Sequence, residues 1–240
     1  MKLWNMKFEG TPKICVPLMG KTLTEVLSEI ETLAEKPIDF FEWRVDAFTE
    51  NPIAYIEKIK TAVGSKPLLC TVRTVNEGGN SALNSEDYEN LLSSLIESRF
   101  CNIIDIELSC GQEQVKRLVE TARNNNVGII ISKHNFLNTP SRSEIAETLV
   151  EMKNLGADLP KFAVMPSDKK DVAELLLATF KASERVGSVI TMSMGEVGRV
   201  SRMVGGFFGS VVTFAAGVSA SAPGQINSEK LSKIIGKIDR

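Results

Sequence analysis

The stretch DLPKFAVMP, residues 158–166, sets one lysine inside a short apolar run. Proline has no N–H for an interior ladder position, so Pro160 and Pro166 read as the punctuation of a strand rather than its middle. Strand alternation then puts Lys161, Ala163 and Met165 on one face and Phe162 and Val164 on the other. An ammonium is costly to hold among apolar neighbours, and a neutral amine is what covalent chemistry with a carbonyl requires. The plain alternative is an edge strand whose lysine reaches solvent along its own stem.

Outward from this strand, the chain alternates short apolar runs with longer amphipathic ones. Strand candidates are KICVPL (13–18), IDFFEWRVD (38–46), PLLCTVRT (67–74), NIIDIEL (102–108), VGIIISKHNF (127–136), the opening stretch, GSVITMSM (187–194) and SVVTFAAG (210–217). Between them lie helix candidates: TLTEVLSEIETLAEK with Thr22 or Thr24 near its cap, and NPIAYIEKIKTAV with Asn51 capping and Pro52 in the first helical position. SEDYENLLSSLIESRF follows, then a helix from about Gln112 to Arg123, then SRSEIAETLVEMKNLG ending at Gly156. A helix from Ser167 to about Ser183 comes next; GEVGRVSRMVGGFFG is shorter and glycine-rich, and INSEKLSKIIGKI closes the chain. Eight strand–helix units in 240 residues predict a single closed (β/α)₈ barrel over residues 1–240, the TIM-barrel form of α/β architecture. An open doubly wound sheet is the competitor, but no GxGxxG follows the first strand and no GxxxxGK[ST] occurs.

At 43% hydrophobic residues the chain can bury one large core, and a formal charge of -2 gives no reason to expect nucleic acid as a partner. Cys15, Cys70, Cys101 and Cys110 have no CxxC spacing, which favours free thiols in a reducing compartment over a disulfide scaffold. The opening MKLWNMKFEG lacks an apolar core with a cleavage site, and no run reaches membrane-spanning length. The expectation is a cytoplasmic protein with no membrane partner.

In a barrel, ligands meet the C-terminal ends of the strands. The second strand sets Glu42, Arg44 and Asp46 against Phe41, Trp43 and Val45, so charge faces the interior if helices cover the outside. The third repeats this with Thr71 and Arg73, followed by Glu77, and the fourth places Asp105 and Glu107 on one face. Carboxylates and arginines converging on one interior must pair or bind a ligand. Asp105, earlier in its strand, reads as structural, and Glu107 as a site residue or a salt-bridge partner. The fifth strand ends in Ser132, Lys133, His134, Asn135, and His134 is the only histidine. At the mouth an imidazole can take and return a proton; it could equally be a packed, hydrogen-bonded side chain. One histidine without clustered cysteines gives no set of zinc ligands, so no metal is expected.

EWRVD, TVRTVNEGG, DIELS, SKHNF, KFAVMP, SMGEVGRVSR and SAPGQ, in this order, resemble type I 3-dehydroquinate dehydratase over nearly the full chain. The resemblance implies a (β/α)₈ barrel, an imine-forming lysine that dehydrates 3-dehydroquinate to 3-dehydroshikimate in the shikimate pathway, a homodimer, and no metal or organic cofactor. It carries the imine lysine onto Lys161, the general acid/base onto His134 and the carboxylate that orients the histidine onto Glu77. Glu42, Arg44 and Arg73 match substrate-pocket positions, Arg202 matches the arginine on the substrate carboxylate, and Ser221 and Gln225 match the closing loop. Met192 and Met194 would line the pocket. Glu77 is also expected to favour protonated His134. Two features depart from the family pattern: Lys133 stands where an aromatic or uncharged residue is common, and Asn135 where aspartate is common. A class I aldolase-like barrel and a non-catalytic small-anion-binding barrel are the alternative readings.

Overall fold

The computed structural model describes residues 2–3, 6–8 and 10–238. Eight parallel strands follow one another around the sheet: β1 Lys13–Leu18, β2 Phe40–Arg44, β3 Leu68–Thr71, β4 Ile103–Glu107, β5 Gly128–Asn135, β6 Leu159–Val164, β7 Ile190–Ser193 and β8 Val212–Phe214. Each ladder joins sequence neighbours, and β8 returns to pair with β1. The β7–β8 seam is closed by one bridge, Val189 to Ser210, with the Val211 N–H donating to Val189 O at 2.9 Å. Ser210 Oγ fills the next ladder position by accepting from the Thr191 N–H at 3.1 Å.

Helices α1 Leu23–Leu33, α2 Pro52–Val63, α3 Ser85–Glu97, α4 Gln112–Asn124, α5 Arg142–Asn154, α6 Lys169–Val186 and α7 Ser228–Ile238 connect or close the barrel. Their starts follow local chemistry. Thr22 and Asn51 cap α1 and α2, and Ser141 with Glu144 forms a reciprocal capping box on α5. The expected start of α6 at Ser167 moves to Lys169, because the Asp168 carboxylate accepts from the N–H groups of Lys170 and Asp171. GEVGRVSRMVGGFFG forms two four-residue helical turns, Gly195–Gly198 and Ser201–Val204, before β8.

Alternation divides the core in two. Phe41, Trp43, Ile104, Ile106, Ile129, Ile131, Phe162 and Val164 point outward under the helices, while Cys15, Phe40, Leu69, Ile103, Ile130, Leu159 and Ile190 fill the lower interior. A short N-terminal hairpin pairs Lys2–Leu3 with Met6–Lys7, and Phe8 beyond it joins the inner apolar set. The sequence reading did not find this hairpin, since its strands are two residues long. The edge-strand alternative for residues 158–166 is not realised: β6 pairs with β5 on one side and β7 on the other. Among the described residues, no helix is long and apolar enough to cross a membrane, and all four cysteines are free.

Candidate active site

Above the apolar floor, the inward positions at the C-terminal strand ends become polar. Glu42, Arg44, Arg73, Glu77, His134, Lys161, Met192, Met194, Arg202, Ser221 and Gln225 border one cavity, so every residue the resemblance assigned to the site meets there, while Glu107 stays outside the lining as a salt-bridge partner of Arg73. Gly78, Phe136, Ala163, Phe214 and Ala222 line it as well and were not nominated. Phe136 lies over Gly78, where φ is +78° and a Cβ would come within 2.4 Å of the ring. The left-handed backbone favours glycine there, and a Cβ would displace the Phe136 ring.

Lys161 is 3% exposed, with surroundings unlike those expected from its strand alone. Its Nζ donates to Asp105 Oδ2 at 3.0 Å, stands 3.8 Å from Glu42 Oε1 and lies 4.4 Å from the Phe214 ring centroid. Two carboxylates and an aromatic face therefore surround this nitrogen. Thr71 Oγ1 donates to Glu42 at 2.9 Å and fixes that carboxylate. Asp105, read from sequence as structural, instead touches the lysine directly.

His134 Nδ1 lies 2.9 Å from Glu77 Oε2, and the same oxygen accepts the His134 backbone N–H at 3.0 Å. Ser109 Oγ donates to the other Glu77 oxygen at 2.7 Å. Burial, reinforced by the cations Arg73 and Lys161, holds the imidazole pKa well below its ordinary value. The expected preference of Glu77 for the protonated ring is therefore outweighed, and the resting ring is neutral. Donating Nδ1–H to Glu77 leaves Nε2 with a lone pair, the form a general base needs; this tautomer follows from the hydrogen-bond network.

Burial and the Glu107 charge raise Glu77 to about 7, against the opposing pull of Arg73 and the Ser109 hydroxyl. Protonating Glu77 removes the anion that orients the ring, so kcat/KM should fall as pH drops through about 7. Burial holds the His134 pKa lower still, so this limb is assigned to the glutamate of the Glu77–His134 pair. A kcat/KM profile of Glu77→Gln should lie lower and lack this limb; an unchanged limb in the variant would refute the assignment.

The three arginines differ in what holds them. Arg44 makes two 2.8 Å bonds to Asp46, which also accepts the N–H groups of Arg73 at 3.2 Å and Asn80 at 3.0 Å. Arg73 reaches Asp105 and Glu107 at 2.9 Å each, Ser132 at 3.0 Å and Glu77 at 3.5 Å. Its donors therefore serve the protein's own carboxylates even though the side chain borders the cavity. Arg202, 3% exposed, has no carboxylate partner among the described residues. It donates to Phe214 O at 3.2 Å, Met192 Sδ at 3.4 Å and Pro223 O at 3.3 Å, and its Nε has no hydrogen-bond partner among the described residues. Burial lowers its pKa to about 10. A buried guanidinium held by neutral acceptors is ready for an anion.

In the loop after β8, the Gln225 amide accepts the Ser221 N–H at 2.8 Å and donates to Ser221 Oγ at 3.0 Å. Gly224 between them has φ +78°, and a Cβ there would sit 2.1 Å from Gly195 O. Lys133 points to the outer face, with Nζ 5.6 Å from the Phe162 ring centroid. Asn135 accepts the N–H groups of Leu137 and Asn138 and shapes the loop beyond β5.

Comparison with known proteins agrees with this geometry. A family model described as type I 3-dehydroquinase matches residues 14–239. The 3-dehydroquinate dehydratase of Salmonella agona is 44% identical over 234 residues, covering 95% of this chain and 93% of that protein. That of Listeria monocytogenes is 42% identical over 238 residues, covering 96% and 94%. The crystal structure of the Clostridium difficile type I 3-dehydroquinate dehydratase, solved with covalently modified comenic acid, superposes with a TM-score of 0.95 at 38% identity, covering 100% of this chain and 97% of that one.

Proposed function

Because this chain belongs to the type I 3-dehydroquinase family, and so converts 3-dehydroquinate to 3-dehydroshikimate through a lysine imine, we propose that Lys161 forms that imine, His134 moves the protons and Glu77 orients His134. The observation that carries this assignment is one shared cavity: Lys161 on β6 and His134 on β5 both face it, while Glu77 takes only the Nδ1 side of the ring.

Lys161 Nζ adds to the C3 ketone, and loss of water from the carbinolamine gives a protonated imine. His134 Nε2 then removes a C2 proton; the C2–H pair becomes the C2=C3 bond and the imine π pair moves to nitrogen. As the C1–O bond breaks, the imidazolium protonates the departing hydroxyl while the nitrogen pair restores the iminium. The new C1=C2 bond remains, and hydrolysis frees 3-dehydroshikimate and the amine.

Arg202 would hold the substrate carboxylate, since it is the buried cation of the cavity with no acidic partner among the described residues. Ser221 and Gln225, which satisfy each other here, would turn to the substrate hydroxyls. Glu42, Arg44, Arg73, Met192 and Met194 would complete the wall. An outer apolar patch supports a homodimer. Leu177 and Phe180 on α6 are 40% and 48% exposed, and Phe207, 66% exposed, lies on the neighbouring segment that Ser183 Oγ contacts through Phe208 O.

Borohydride added with 3-dehydroquinate should inactivate the enzyme irreversibly and leave a reduced adduct on the peptide containing Lys161. Peptide mass spectrometry that found the adduct on Lys133, or none despite turnover, would defeat the assignment.

A further inference from the structure

We propose that Asp105 is the counter-ion of the iminium on Lys161, holding the nitrogen's charge through both bond-breaking steps. The inference rests on Lys161 being the imine-forming residue. Asp105, outside the cavity lining, has one oxygen on the lysine, 3.0 Å from Nζ, and the other on Arg73 Nη2 at 2.9 Å and Ser132 Oγ. It is 1% exposed, so the protein and the covalent intermediate are its only available partners.

The reaction needs such a group for a reason of charge. The imine accepts electrons only while its nitrogen carries a proton; a neutral imine is a far weaker sink for the C2–H pair. Nζ becomes an iminium, then a neutral enamine nitrogen, then an iminium again. During the enamine stage the positive charge resides on His134. The net charge of the pair is therefore constant while its position changes.

The side chains beneath the cavity are ordered to accept that movement. From the imine end they run Lys161, Asp105, Arg73, Glu77 and His134, with successive contacts of 3.0, 2.9, 3.5 and 2.9 Å. Asp105 answers the charge at one end and Glu77 at the other, and Arg73 lies between them. Against the cost of burial, the Arg73 and Lys161 cations and the Ser132 hydroxyl hold the Asp105 pKa below the usual carboxylate range. The Arg73 and Ser132 bonds also temper its grip on Nζ, so that the neutral enamine is not excessively penalised. The other charged or titratable groups around Lys161 are Glu42 on β2, Arg73 after β3, His134 on β5 and the Cys15 thiol on β1. Glu42 stands at 3.8 Å and is already engaged by Thr71, which leaves Asp105 as the contact at hydrogen-bonding distance.

Removing the counter-ion lowers the pH at which the iminium loses its proton. Asp105→Asn, which keeps shape and hydrogen bonding, should lower kcat by about 10²-fold, the scale of one lost electrostatic contact to a developing charge. Its kcat should decline with rising pH in a range where the parent enzyme is flat, and cyanoborohydride, which reduces the protonated imine, should trap its adduct more slowly as pH rises. A parent-like pH profile and trapping rate would overturn the proposal. If Asp105→Asn does not fold, the parent enzyme with ¹⁵N-labelled lysine and saturating product decides. The imine nitrogen should stay in the protonated-iminium region well into alkaline pH, and a neutral-imine resonance near pH about 7 would overturn the proposal. Failure of the parent enzyme to form any adduct at Lys161 would instead remove the assignment beneath it.

Discussion

Lys161→Met should lower turnover by at least about 10⁴-fold, the scale seen when a covalent nucleophile is removed, and should leave no borohydride adduct on the chain. Methionine keeps the length of the side chain inside the barrel, so the variant tests the amine more than the packing. Breaking a buried ion pair typically costs about 3–5 kcal/mol because a charge is stranded. Asp105 is spared part of that, since Arg73 at 2.9 Å and Ser132 remain on its other oxygen. Thermal unfolding should show a less stable but folded barrel. Turnover near the parent level in the folded variant would exclude an imine at this position.

His134→Ala should lower kcat by roughly 10²–10⁴-fold, the usual contribution of a positioned acid/base. The substitution removes the Nδ1 contact to Glu77, yet the backbone N–H of residue 134 still donates to that carboxylate at 3.0 Å and Ser109 still donates at 2.7 Å. The mouth should keep its shape for that reason. Borohydride should still mark Lys161 in this variant, although more slowly, because the amine is intact while proton handling during imine formation is impaired. Mass spectrometry of the trapped peptide beside steady-state rates separates the two steps. Near-parent turnover would remove His134 from the chemistry.

Lys161 and His134 were legible because each belongs to a strand whose alternation sends it inward, and the ladder sets their strands side by side, with Ser132 opposite Lys161 and Ala163 opposite His134. The contact between Lys161 and Asp105 was not legible. Ladder register alone carries Lys161 through Ser132 to Glu107, two positions above Asp105. Barrel strands tilt, and alternate strands contribute to one interior layer, so β6 meets β4 across β5 at a different height from the one pairing suggests. Phe214 was hidden similarly: its strand could be read, but its contact with the amine arises only when β8 folds beside β1 and faces β6 across the interior. Arg202 came from resemblance to a family, because it lies in a four-residue turn with no periodicity to reveal its direction. Ser201 supplies the local cause: its hydroxyl accepts the Ser193 N–H at 2.9 Å and binds that turn to the end of β7.

The seam between β7 and β8 gives the barrel a line along which cohesion is borrowed from side chains. One bridge, the Ser210 hydroxyl and the Arg202 guanidinium stand where a full ladder would run, and Arg202 spans the gap from Met192 on β7 to Phe214 O on β8 and on to Pro223 O. If Arg202 receives the substrate anion as proposed, the ligand would bind to a rivet of the cylinder, and affinity and mechanical closure would be joined at one residue: a ligand that ordered Arg202 would tighten the staves beside it, and a change that loosened those staves would weaken the grip on the ligand.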